Sequence, residues 1–138
     1  MTFGLSKSRS FDEVWRDVHR DVPLECIQAC MRCELACLAS AEACLGDADL
    51  QDLGRCVRLS LDCAEICLAT RTLVAEALLS APRLVLAQLL VCARMCATCE
   101  AECGRLGPHS TQIGRAARAC ADCLTLCFET TRHVQNLH

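Results

Sequence analysis

The sequence predicts an all-α fold: an antiparallel up-down-up-down four-helix bundle with a short extra N-terminal helix and a cysteine-lined core. Three observations carry that prediction. Cys26, Cys30, Cys33 and Cys37 follow the spacing C-x3-C-x2-C-x3-C, and Cys92, Cys96, Cys99 and Cys103 repeat it. The same template fits Cys56, Ser60, Cys63 and Cys67 with one serine substituted, and Ala116, Cys120, Cys123 and Cys127 with one alanine substituted. Of the fifteen cysteines only Cys44 lies off this grid, seven residues beyond Cys37. Steps of three, four and seven all return to one face of an α-helix. Second, helix-breaking segments divide the chain into a few long pieces. Third, no segment alternates apolar and polar residues for long enough to be a strand.

The elements follow in order. Ser10-Phe11-Asp12-Glu13 reads as a capping box opening a short helix through about Arg20. Asp21-Val22-Pro23 breaks it and starts the next, since proline is tolerated in a first turn. That helix runs to about Leu45, with Gly46 placed as a C′ residue. Asp47 or Asp49 is positioned to cap a third helix reaching about Leu79. Ser80-Ala81-Pro82 is the next break, a fourth helix reaches about Leu106, Gly107-Pro108 turns the chain, and the last helix extends to about Val134. The four long helices are each about 24 to 30 residues, or roughly 36 to 45 Å at 1.5 Å per residue. Short connections between them favour antiparallel neighbours. Residues 1–138 therefore read as a single domain, with the short helix over about 10–20 and the bundle over about 23–135.

In this frame the cysteines occupy the inward positions, and Ser40, Ser60, Thr70 and Thr130 share the same rows. The rows continue into Val74, Leu78, Val85, Leu89, Ile113 and Val134. Antiparallel order places Cys44, Cys56 and Cys103 toward one end, near Gly107-Pro108-His109, and the aliphatic residues from Val74 to Leu90 at the other. The expected result is a sulfur-lined tube, open or nearly open at the first end and plugged at the second. Phe11 and Trp15 on the short helix are expected to cover a bundle surface, and Met31 and Met95 to pack on its flanks.

Composition bounds the chemistry. Aromatic residues are scarce, with three Phe, one Trp and no Tyr, whereas cysteine reaches about 11 %. Met1 to Trp15 holds neither an apolar signal core nor a twin-arginine pair, so the expected location is cytoplasmic, where thiols stay reduced. The odd cysteine count and the strain of bridging helical neighbours also disfavour a disulfide framework. Leu84 to Ala93, the longest uncharged apolar run near the middle, is about half a membrane span. A net charge of −3 with no basic stripe gives no handle for nucleic acid or a membrane surface. No histidine stands beside a carboxylate and a nucleophile, and no catalytic constellation is visible, so an enzyme is not expected.

Buried cysteine often packs as a small hydrophobe, but fourteen on one grid would leave a bundle core underfilled when empty. Soft thiolates select Cu(I), Zn(II) and iron–sulfur clusters. Zinc favours separate four-ligand sites. Cluster-binding loops use C-x2-C-x2-C-x3-C-P, and this chain has neither C-x2-C-x2-C nor a cysteine before proline. Cu(I) accepts two or three thiolates that can bridge ions, and about one monovalent ion per thiolate neutralises the column as protons leave. The alternatives kept open are an iron–sulfur electron carrier of ferredoxin type and a zinc or thiol redox sensor. His109 could hand copper to Cys103 or Cys44; an exposed turn residue is the equal alternative.

On these residues the chain resembles the four-helix-bundle copper storage proteins, over about residues 23 to 135. The resemblance implies a cytosolic copper storage and sequestration protein binding multiple Cu(I) ions per chain, and bridged two-coordinate thiolate geometry sets the expected capacity on the order of ten to twenty. It implies as metal ligands Cys26, Cys30, Cys33, Cys37, Cys44, Cys56, Cys63, Cys67, Cys92, Cys96, Cys99, Cys103, Cys120, Cys123 and Cys127, with His109 at the bundle mouth. It further implies a homotetramer, with copper donor or acceptor proteins as possible partners. Ser60 and Ala116 depart from the full grid and are expected to lower copper density locally.

Overall fold

The computed structural model describes residues 9–46 and 50–137, less the side chains of residues 16–18, 50 and 51. Ser10 caps α1 (Phe11–Val18) by accepting a hydrogen bond from the Glu13 N–H at 3.2 Å. On the other side of the expected box, the Glu13 carboxylate faces Arg9 at 3.9 Å. The helix ends at Val18, two residues short of Arg20, with the His19 N–H closing on the Trp15 carbonyl at 3.0 Å, and the Arg20 guanidinium pairs with Glu25 at 2.7 Å and Glu129 at 2.5 Å. Those bonds hold Glu25 below, and Arg20 above, their usual ranges.

Asp21 caps α2 (Val22–Leu45) through its carboxylate and the Leu24 N–H at 3.1 Å, with Pro23 in the first turn. Gly46 ends that helix at φ −82°, ψ −4°, not in the left-handed conformation expected of a C′ glycine. Its N–H still reaches the Glu42 carbonyl at 3.1 Å, so the turn closes without a positive φ. Asp47 and Asp49, the expected caps of the third helix, lie outside the described residues. That helix, α3, spans Leu50–Ala77, and α4 spans Pro82–Leu106. A 3-10 turn at Gly107–His109 leads to α5 (Thr111–Leu137), whose first turn is held by Ser110 Oγ accepting from the Gln112 N–H at 3.1 Å. α5 runs past the expected Val134 because that residue is a fully buried member of the core.

The long helices form a closed square in which α2 packs on α3 and α5, and α4 packs on the same two. Successive helices run antiparallel, and Arg71 of α3 reaches Glu34 of α2 at 3.2 Å across one edge. Each helix turns one row into the square, and the side chains filling that row are mainly cysteine. Pro82–His109 is long and apolar enough, by length and composition, to cross a membrane. In this fold its inward row, from Val85 and Leu89 to Cys103, forms one wall of the core.

Both ends of the column are aliphatic. Val74, Val85, Leu89 and Val134 fill the expected plug, next to Thr70, which accepts from Gln88 Nε2 at 3.0 Å. The opposite end is not open. Leu53, Leu106 and Ile113 are 3 %, 3 % and 1 % exposed there. The reason lies in the register: each stands three residues beyond the last seam position of its helix, and so continues the inward row by one turn. The expected cover by α1 is also absent. Phe11 and Trp15 are 75 % and 54 % exposed, and their rings associate along α1 itself, with Trp15 stacked on His19 at 3.9 Å. On this eight-residue helix Phe11, Val14 and Trp15 all face solvent.

With sulfur in the middle, the aliphatic ends carry the close packing. Leu89→Ala should destabilise the metal-free, reduced protein by about 2–5 kcal/mol in urea unfolding. Leu79→Ala, at a position 76 % exposed, should stay within about 0.5 kcal/mol.

Candidate metal centre

All fifteen cysteines are free thiols with no exposed surface. The i, i+3, i+4 spacing sets successive sulfurs of one helix along its inner face, and the square brings four such faces together. At the centre, Cys63 of α3 meets Cys33 of α2, Cys96 of α4 and Cys120 of α5, each at 3.9 Å. Cys33 closes the ring to Cys120 at 3.7 Å. One level toward the aliphatic plug, Cys123 lies 3.7 Å from Cys30 and 4.0 Å from Cys92. Beyond that level Cys26 interacts with Cys127 and with the Thr130 hydroxyl.

Three compact quartets emerge: Cys33, Cys63, Cys67, Cys96; Cys33, Cys37, Cys63, Cys120; and Cys67, Cys92, Cys96, Cys123. In each, all four Sγ atoms lie within 4.8 Å of one another. A metal–thiolate bond of about 2.3 Å places sulfurs about 4.0 Å apart in a triangle and about 3.8 Å apart in a tetrahedron. The sulfur separations of 3.7–4.0 Å already match those edges. They are far too long for disulfides, which need about 2.05 Å. Quartets that share Cys33, Cys63, Cys67 and Cys96 place neighbouring ions on common ligands, as bridged thiolate clusters require.

Burial pushes the thiols up, whereas hydrogen bonds between neighbouring sulfurs raise some and lower others: Cys33 and Cys37 are held down by Cys120, Cys99 by Cys103 and Cys123 by Cys127. Hydrogen bonds to neighbouring sulfurs, Cys123 first, together with burial push Cys67 up. Cys96 and Cys127 are raised in the same way by Cys120 and Cys123 respectively. Cys56 is pushed up by its hydrogen bond with Cys103 and by burial. Cys103 reaches about 12: the bond with Cys56 lowers it, but the bond with Cys99 and burial outweigh that. Cys26 is held at about 4 by hydrogen bonds with Cys127 and Cys30. The thiols thus form one coupled proton-sharing chain, which a thiophilic cation enters only by displacing protons.

The sequence-derived ligands are therefore brought together, with one exception. His109 is exposed on the 3-10 turn, on the far side of Leu106 from Cys103 along the chain. His19 and His133 are outside the column, and His138 lies outside the described residues. Met31 is 44 % exposed, while Met95 is half-buried against the core flank. The pairing of Ser40 with Ser60, 3.3 Å apart between fully buried hydroxyls, was not legible as a contact. Neither was Glu102, nearly buried at the Leu106 end and held below the usual carboxylate range by its hydrogen bonds with Arg105. Only its adjacency to Cys103 could have pointed to it.

Comparison with known proteins gives a consistent result. Residues 20–132 match the model of the family Csp, copper storage protein. A histidine-to-alanine mutant of Streptomyces lividans Ccsp superposes with a TM-score of 0.79 at 34 % identity, covering 83 % of this chain and 96 % of that one. A cytosolic copper storage protein from the same organism, in a structure of copper loading with five coppers, gives 0.77 at 35 % identity, covering 82 % and 94 %. Ccsp loaded with 10 copper equivalents gives 0.77 at 36 %, covering 81 % and 85 %. The uncharacterized cysteine-rich protein YhjQ of Bacillus subtilis (strain 168) is 31 % identical over 98 residues, 70 % of this chain and 87 % of its own length.

Complete burial has a direct readout. A bulky aromatic disulfide reagent should react slowly with the native, reduced protein and release about fifteen equivalents of thiol once the chain is unfolded in denaturant. Rapid titration of most thiols in the native state would contradict the buried column.

Proposed function

Because the chain belongs to the copper storage protein family, we propose that it stores and sequesters Cu(I), binding many ions through thiolates inside the bundle. The observation that carries the reading is the column itself: fifteen free, fully buried thiols on four helices, with sulfurs of different helices meeting at 3.7–4.0 Å. The ligands are Cys26, Cys30, Cys33, Cys37 and Cys44 of α2, and Cys56, Cys63 and Cys67 of α3. To these α4 adds Cys92, Cys96, Cys99 and Cys103, and α5 adds Cys120, Cys123 and Cys127. His109, exposed at the end nearest Cys103, is assigned to capture of incoming copper rather than to storage.

Charge explains why a monovalent ion suits this interior. Burying many thiolates without compensation is prohibitive. About one Cu(I) per thiolate leaves each bridged unit near neutral, and it does so without redox change or catalytic chemistry. We assign the protein to the cytosol, as for the Streptomyces lividans relative. Exposed apolar residues on α2 (Met31, Leu35, Leu38) and on α3 (Leu61, Leu68) support a homo-oligomer, with the tetramer of the resemblance as its form. Copper donor and acceptor proteins complete the set of partners.

Anaerobic titration of the reduced protein with Cu(I), counting bound ions against free thiols, should saturate on the order of ten to twenty ions per chain. Saturation at one or two ions would sink the reading, and charge-transfer bands after reconstitution with iron and sulfide would favour an electron carrier instead. Loading should also release protons. Cys56 is raised and Cys103 lies at about 12, so both are protonated at neutral pH. Copper entering there displaces protons, and acidification favours the proton. The apparent Cu(I) affinity, read by competition with a chelator, should therefore rise with pH and fall as pH is lowered.

A further inference from the structure

The column is not uniform along its axis. Just beneath the closing residues Leu53 and Leu106, the Cys56 and Cys103 thiols meet at 3.8 Å, and Cys44 is a hydrogen-bond partner of Cys56. None of these three belongs to the compact quartets of the centre. Between the two groups lies a level that carries oxygen. Ser60 Oγ donates to Ser40 Oγ at 3.3 Å, and the pair touches Cys56 and Cys103 at 3.9 and 3.8 Å. On α5 the corresponding seam slot is Ala116, also fully buried.

A neutral hydroxyl is a hard ligand that a soft monovalent ion disfavours, and a methyl group offers no ligand at all. The thiolate row is therefore broken on α2 and α3 and ends on α5. Only α4 carries sulfur through this level without a gap, by the step from Cys103 to Cys99 at 3.8 Å. On the store side Cys99 interacts with Cys37, Cys120 and Cys63.

Resting on the copper storage reading, we propose that the store has two compartments: a small Cu(I) exchange site formed by Cys44, Cys56 and Cys103, and a main store beyond the Ser40–Ser60 pair, joined through Cys99. Transfer between them is ligand exchange without redox change. A bond from Cu(I) to the Cys99 sulfur forms as that thiol loses its proton, and the bond to Cys103 breaks as that thiolate regains one. Copper in the outer site exchanges without passing the serine level, whereas copper in the store must pass it at a single sulfur.

The test is removal of copper from the fully loaded protein by excess bathocuproine disulfonate, followed by absorbance under anaerobic conditions. The wild type should release copper in two phases, a fast minor one and a slow major one. Cys56→Ser combined with Cys103→Ser should abolish the fast phase, retain most of the capacity, and slow the remaining release by roughly tenfold or more. Ser60→Cys restores sulfur at the waist and should merge the two phases into one while raising capacity. Single-phase release from the wild type, or two phases unchanged in the double variant or in Ser60→Cys, would overturn the division while leaving storage intact. If the wild type takes up only one or two ions, storage itself fails, and this inference with it.

Discussion

The constraint on which the rest of the structure depends is the burial of fifteen thiols in one continuous column without leaving an uncompensated charge inside it. Cysteine is small, so four rows of it can approach until their sulfurs stand about 4 Å apart. The same smallness means that the middle of the bundle offers less dispersion and less apolar area than a leucine core would. The fold compensates at its ends. Val74, Val85, Leu89 and Val134 close one end, and Leu53, Leu106 and Ile113 close the other. Stability is concentrated at these ends and ligand capacity in the middle, so the metal-free protein can stand as a folded container.

The hydroxyls of the core are hydrogen-bonded to helix carbonyls, or to one another and the neighbouring thiols. Thr70 and Thr130 return their hydroxyl protons to the Ile66 and Leu126 carbonyls one turn back, at 2.7 and 2.6 Å. Thr70 also accepts from Gln88. Ser40 and Ser60 satisfy each other and the neighbouring thiols. Among the described residues no buried side-chain nitrogen or oxygen lacks a partner. With its nitrogens and oxygens partnered, the column leaves the thiols, bonded mainly to one another, as the groups a thiophilic cation can enter by displacing protons.

Much of this was legible in the residue spacing. The four-fold C-x3-C-x2-C-x3-C grid specified helices, their inward faces and the thiols that line the column, because side-chain direction on a helix follows from residue number alone. The cap at Ser10 and the breaks at Asp21–Pro23 and Pro82 were equally local, and the structure has them. Gly46 was not, since a glycine permits a left-handed turn without requiring one. The closed mouth was missed although its signal was present: Leu53, Leu106 and Ile113 sit one helical turn beyond the seam. The exposed rings of Phe11 and Trp15 were misjudged because an amphipathic pattern identifies an apolar face but not its partner.

By itself, then, the sequence determined the helical rows, the sulfur chemistry and the soft-metal preference that go with them, all of which depend on residues a few positions apart. Tertiary structure alone decided which sulfurs stand together. Cys33, Cys63, Cys96 and Cys120 come from four helices and meet only because of how the square is closed and registered axially. The same register sets Ser40 against Ser60 and leaves Cys44, Cys56 and Cys103 apart from the central quartets. A one-turn slip of one helix would keep every row inward and yet exchange every partner, because the row is a property of one helix and the layer a property of four.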